Sequence, residues 1–233
     1  MALNKEVFKT RALTAGIFVV VMLAGIFINF YTFLALFLLI MGGCLFEFRK
    51  IIKLIKPTKY FGLLALSMPY IIIPILMMIE MGKKNYNQDL SLINYSPVLP
   101  IFIILSIWIN DTMAYLVGSF IGKTPFSKIS PKKTWEGTGG GVILCVVVMG
   151  LFAHFVNAFH YMPLPHWLAI AAICAVFGTL GDLLESKIKR TANIKDSGSF
   201  MPGHGGFLDR FDSLLVATPF VWLYVQFFVK LFG

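Results

Sequence analysis

Charge is what this sequence has least of. Only 13% of its 233 residues are Asp, Glu, Lys or Arg, where a soluble domain carries about 25%. Cysteine is scarce too. Cys44, Cys145 and Cys174 lie in apolar runs at spacings that match no zinc or redox motif, which leaves them as small buried side chains. No convincing Ser-His-Asp or Cys-His arrangement is present, and His154, His160 and His166 lie far from any other candidate group. There is no internal repeat and no low-complexity tail. What the chain has instead is apolar surface, with 58% hydrophobic residues and a mean hydropathy of +0.82. These values describe a polytopic membrane protein of about one domain. The net charge of +9 does not point to nucleic acid, because the basic residues alternate with apolar runs long enough to span a bilayer.

The hydropathy pattern predicts an all-α transmembrane bundle of about seven spans, since each crossing needs about 20 residues. The expected spans are 12–28, 31–47, 60–81, 97–121, 139–160, 166–185 and 211–232. A basic start followed by an apolar run can imitate a signal peptide. Here a second apolar run follows at once, so an uncleaved anchor is expected. Residues 1–96 read as N-terminal transmembrane helices, and residues 97–233 as the region that carries the chemistry. With the N-terminus in the cytoplasm, the segments on that side hold seventeen of the twenty basic residues. Lys83, Lys84 and Lys230 fall on the other side. This asymmetry sets the expected orientation.

One long polar stretch interrupts the apolar pattern, from Gly181 to Ser213. It holds Asp182, Glu185, Asp196, Asp209 and Asp212 beside Lys187, Lys189, Arg190, Lys195 and Arg210. A Pro-Gly-His-Gly-Gly turn runs from Pro202 to Gly206. Carboxylates hold a hard cation, Lys and Arg neutralise phosphate oxygens, and glycines let backbone N–H groups approach an anion. Asp182, Glu185, Ser186 and Lys189 share one helix face by their spacing. Asp209 and Asp212 are expected to open the next helix. A second constellation lies earlier. Asp111 sits in an apolar span, where a carboxylate is costly unless paired or hydrated. Tyr115 and Gly118 share its face, giving a polar stripe expected to point into the bundle. Ser130, Pro131, Lys132, Lys133 and Thr134 form a turn with two cations and two hydroxyls, suited to a lipid headgroup. The topology puts this turn on the same side as the 181–213 stretch.

The motifs resemble those of the phosphatidate cytidylyltransferases, the CDP-diacylglycerol synthases. The pattern reads Ser186, Lys189, Arg190, then Lys195, Asp196, Gly198, then Pro202-Gly203-His204-Gly205-Gly206, and closes with Asp209, Arg210 and Asp212. Asp111, Thr112, Ala114, Tyr115 and Ser130, Pro131, Lys133, Thr134, Glu136, Gly137 extend it, so the resemblance covers the C-terminal half. It implies a transferase that joins CTP and phosphatidate, giving CDP-diacylglycerol and pyrophosphate for phospholipid synthesis. It further implies an integral protein of a bacterial cytoplasmic membrane, with the site facing the cytoplasm. Lys189, Arg190, Asp182 and Asp209 are then the expected catalytic residues. Asp182 and Asp209, with Asp212 as a weaker third, are the expected Mg²⁺ ligands, and a second, monovalent cation is allowed beside them. Asp111, Ser130, Lys132, Lys133, Thr134, Ser186, Lys195, His204, Gly205, Gly206 and Arg210 are expected to bind substrate. A homodimer is allowed. Cytidine selectivity rests on the resemblance alone. A CTP-dependent lipid kinase, a cytidylyltransferase for another lipid phosphate and an anion transporter stay open as alternatives.

Overall fold

A computed structural model describes residues 5–56, 60–83, 95–200 and 205–229. The chain is all-α, with eight α-helices among the described residues. They are α1 (Lys5–Phe27), α2 (Phe30–Ile55), α3 (Tyr60–Leu64), α4 (Ile73–Met81), α5 (Val98–Ile121), α6 (Trp135–Phe155), α7 (Leu164–Thr191) and α8 (Leu208–Tyr224). A π-helical turn, Met68–Ile72, joins α3 to α4, and another, Val225–Val229, extends α8.

Six stretches are long and apolar enough to cross a membrane: Phe30–Ile55, Gly62–Met81, Val98–Ile121, Trp135–Phe155, Leu164–Thr191 and Leu208–Val229. The seventh expected span is α1, whose apolar part, Ala12–Phe27, is shorter. Large apolar side chains such as Val20, Ile28, Ile143 and Phe155 are more than half exposed. On a soluble protein they would be a liability, and around a bundle they are the face offered to lipid. The protein is an integral membrane protein.

Local chemistry sets the helix ends. Asn29 caps α2 through a reciprocal box, its Oδ1 accepting from the Thr32 amide at 3.0 Å and its own amide donating to Thr32 Oγ1 at 3.2 Å. Thr134 caps α6 by accepting from the Gly137 amide at 3.1 Å. Pro69 and Pro74 lack the N–H that a regular α-helix needs, and the chain widens into the π turn that contains Pro69 and ends just before Pro74. At the end of α7, Asn193 takes a positive φ of 55°. Its amide donates to the Arg190 carbonyl and that of Ile194 to the Lys189 carbonyl, a Schellman closure with Asn in the left-handed position.

Two helices overrun the expected membrane spans in a way that matters. α7 runs to Thr191, beyond 185, and so carries Lys189 on its face, and α8 begins at Leu208, next to the helix start expected at Asp209. Hydropathy follows apolar runs, whereas a helix continues wherever its polar side chains find partners. Those on α7 do.

Packing pairs α5 with α6 and α7 with α8 through small residues. A Cβ on Gly141 would lie 2.7 Å from Ala114 Cβ, and one on Gly181 would lie 2.5 Å from the Asp212 carbonyl oxygen. Glycine at these points lets helix backbones approach closely. Away from the polar end, Phe102, Phe159 and Trp167 form an aromatic core with ring centroids 4.5–5.4 Å apart.

Candidate active site

The polar face of α7 is the spine of the site. Asp182, Glu185, Ser186 and Lys189 line it, as their spacing requires. Asp182 lies nine residues before the helix terminus, well inside the helix, whereas the expected span to residue 185 puts it near the end. Its carboxylate pairs with Lys133 from the turn before α6, and Ser186 Oγ donates to it at 3.4 Å. That ion pair joins the two constellations that the sequence separates by about fifty residues. One turn on, buried Glu185 meets the Lys189 ammonium at 2.5 Å through Oε2, while its Oε1 meets no donor among the described residues. Lys189 reaches on to Asp209 Oδ1 at 2.6 Å.

The close approach at Gly181 brings α8 against this face. Asp212, buried, accepts from the Ser213 amide at 2.6 Å. Ligand oxygens of Asp182, Glu185 and Asp212 lie within 4.8 Å of one another. This trio is the carboxylate cluster that the fold builds. The expected pair of Asp182 with Asp209 is not. The oxygens of Asp209 are engaged elsewhere, Oδ1 by Lys189 and Oδ2 by the amides of Ser197 at 2.9 Å and Gly206 at 2.7 Å.

The glycines serve carboxylates. Gly205 has φ +85°, and a Cβ there would lie 2.5 Å from Asp209 Oδ2. A Cβ on Gly206 would run into Glu47 and Ser197. The Gly206 amide, expected to face substrate, is committed to Asp209. Pro202, Gly203 and His204 lie outside the described residues.

Among the remaining expected residues, Asp111 is exposed and within electrostatic reach of Lys133 and Asp182. Of the stripe predicted to point into the bundle, Asp111 and Tyr115 are exposed and only Gly118 packs, against Thr134 and Gly137. Asn110, one position earlier, is the buried residue and donates to Thr179 of α7 at 3.3 Å, whereas Tyr115 is 73% exposed. A helix turns about 100° per residue, so the side chain next to Asp111 takes the inward place. Arg190 is exposed and donates to the Ile194 carbonyl at 2.9 Å, closing the α7 terminus. Lys132, Lys195 and Arg210 are exposed, and Ser130 is half-buried. Thr134 Oγ1 is occupied as a helix cap.

The turn before α6 is held by backbone pairing. Phe126 donates to the Lys133 carbonyl at 2.7 Å and Trp135 to that of Thr124 at 3.0 Å. The Glu136 carboxylate accepts from the amides of Lys123 and Thr124. This small clamp positions Lys133.

Together these contacts gather Asp111, Asp182, Glu185, Asp209 and Asp212 around Lys133 and Lys189. Such a grouping suits cation binding beside phosphate. A model of the cytidylyltransferase family matches residues 90–228, more than half of the chain and all of these groups. The chain belongs to the cytidylyltransferase family. It is 43% identical over 125 residues to a phosphatidate cytidylyltransferase of Bacillus subtilis, a match covering 52% of this chain and 45% of that protein. It is 42% identical over 126 residues to the chloroplastic phosphatidate cytidylyltransferase 4 of Arabidopsis thaliana, covering 53% of this chain and 31% of that one. The phosphatidate cytidylyltransferase of Haemophilus influenzae is 39% identical over 134 residues, 56% of this chain and 46% of its own. The matches thus span less than half the length of these relatives.

One contributor to the polar end of the bundle lies outside the family match. Glu47 of α2 is buried and accepts from Ser197 Oγ at 2.6 Å, from the Phe207 amide at 3.0 Å and from the Leu208 amide at 2.9 Å. Sequence reasoning missed it. A signal was available, because Glu47 is the single acidic residue of α2, at the end of its apolar run just before Arg49 and Lys50.

Proposed function

We propose that the protein transfers the cytidylyl group of CTP to phosphatidate, releasing pyrophosphate and leaving CDP-diacylglycerol in the membrane. The observation that carries this reading is the meeting of Lys133, Asp182, Glu185, Lys189 and Asp212 at one end of a transmembrane bundle, within the family-matched segment. The nucleophile is a phosphate monoester oxygen of phosphatidate, largely ionised near neutral pH because its second pKa is about 6. It attacks the α-phosphorus of CTP, and the electron pair of the broken α–β bond leaves on pyrophosphate. No strong general base is needed, which agrees with the lack of a His-centred triad. What is needed is positive charge that brings two anions together and stabilises the leaving group. Lys133 and Lys189 provide part of it.

The remaining charge is assigned to Mg²⁺. The carboxylate trio suits a hard divalent cation, since its oxygens converge and Glu185 Oε1 has no protein donor among the described residues. Asp182, Glu185 and Asp212 would hold the ion. When bound, it would neutralise phosphate oxygens and charge on the departing pyrophosphate. The acyl chains stay in the bilayer, and CTP arrives from the cytoplasm.

The test is product analysis of purified protein with Mg²⁺, phosphatidate and CTP labelled at either the α- or the γ-phosphorus. Label from the α position is expected on the lipid, and label from the γ position in pyrophosphate. Transfer of γ-label to lipid would establish a kinase instead. Solute flux into liposomes without CTP would favour a transporter. The assigned orientation, in a bacterial cytoplasmic membrane, has its own test. Single cysteines at Lys128 and Asn193 in a background without other cysteines should react in intact cells only with membrane-permeant thiol reagents. Labelling by an impermeant reagent would reverse the assigned side.

A further inference from the structure

We propose that Glu47 is a positioning residue for cytidylyl transfer, holding Ser197 and the start of α8 so that Asp209 aims the Lys189 ammonium at the substrate phosphates. This rests on the function proposed above and adds to it a residue outside the family-matched region.

The geometry forms a relay. Glu47 Oε2 accepts from Ser197 Oγ at 2.6 Å. The Ser197 amide donates to Asp209 Oδ2 at 2.9 Å, and the Asp209 amide donates back to Ser197 Oγ at 3.3 Å. Asp209 Oδ1 then receives Lys189 at 2.6 Å. A second arm runs from Glu47 to the amides of Phe207 and Leu208, the first of α8. That helix has no side-chain cap of its own, and the carboxylate supplies one from α2. Gly198 and Gly206 both pack on the Glu47 carboxylate, where any Cβ would clash. One buried side chain thus grips the segment at both ends, at Ser197 and at Phe207–Leu208.

A carboxylate in an apolar span costs several kcal/mol unless compensated. Anchoring α2 calls only for apolar packing, and its neighbours Cys44 and Phe48 are already buried in the core. The placement of Glu47, three contacts from Lys189, fits a role in aiming the site. Misplacement of catalytic groups by about 1 Å can cost about 10²-fold in rate.

Glu47→Gln keeps the size but puts an NH₂ where a donor already points. Its kcat should fall about 10²-fold, with KM for CTP changed by less than about threefold, the pattern of an interaction felt in the transition state. Independently of activity, amide hydrogen exchange at Phe207 and Leu208 should accelerate while that of α5 and α6 stays unchanged. Ser197→Ala breaks the relay at its second member and should lower kcat in the same direction. The double variant should be no worse than Glu47→Gln alone. Should Glu47→Gln fail to fold, Glu47→Asp and Ser197→Ala carry the same measurements. Retained kcat despite faster exchange would overturn the aiming role, as would a fully additive double variant. Unchanged exchange would overturn the anchor itself. Absence of transfer by the wild-type protein would instead overturn the functional reading and this role with it, while the exchange rates would still decide whether the anchor exists.

Discussion

Two groups of carboxylates sit side by side at the polar end of the bundle, and they are treated in opposite ways. Glu47 and Asp209 are saturated with donors. Both oxygens of each accept from amides, the Ser197 hydroxyl or the Lys189 ammonium. Asp182, Glu185 and Asp212 instead turn oxygens toward one another, with Lys133 and Lys189 neutralising only part of their charge. Like charges this close cannot all stay ionised without a proton or a cation among them. Residue type is the same in both groups. Donor supply separates carboxylates that support the site from those left to bind something.

The most severe test of that contrast is Lys189, which touches both groups. Lys189→Met should lower transfer by about 10³-fold, the scale for losing a charged group that stabilises a transition state. It should also destabilise the protein by about 3–5 kcal/mol, because Glu185 is left buried without its cation. Adding Glu185→Gln should recover the thermal midpoint but not the activity. Recovery of both would mean that Lys189 serves the fold alone.

Next in size come Asp182→Asn and Asp212→Asn. Each should cost about 10²-fold at a fixed Mg²⁺ concentration, with partial recovery as Mg²⁺ is raised. Binding of Mn²⁺ alone, followed by its paramagnetic resonance, should weaken in parallel. Asp209→Asn sharpens the comparison from the other side. It should lose about as much turnover as Glu47→Gln, about 10²-fold, by loosening the aim of Lys189, with an unchanged Mg²⁺ requirement. If Asp209→Asn shifts the Mg²⁺ curve as far as Asp182→Asn does, the division between the two groups fails. The smallest effect is expected at Gly205. Gly205→Ala must hold φ near +85° against Asp209, at about 1–2 kcal/mol, seen as a lower midpoint in thermal unfolding.

Membrane class, helical architecture and the shared face of Asp182, Glu185, Ser186 and Lys189 were legible in the sequence. These are local properties. Hydropathy sums over neighbouring residues, and the helical period places side chains by spacing alone. The motif residues were legible too, as a list without partners. Only the tertiary structure decided which carboxylates are satisfied. Asp209 is saturated because Ser197, Gly206 and Lys189 converge on it, and the Phe207 amide finds Glu47 across 160 residues of chain. Asp182 lies within α7 and not at its end because the helix runs on to the closure at Asn193, and its charge finds a partner in Lys133 from another turn. The function of a carboxylate follows from the donors around it, and donors brought from distant segments leave no periodic trace in the sequence.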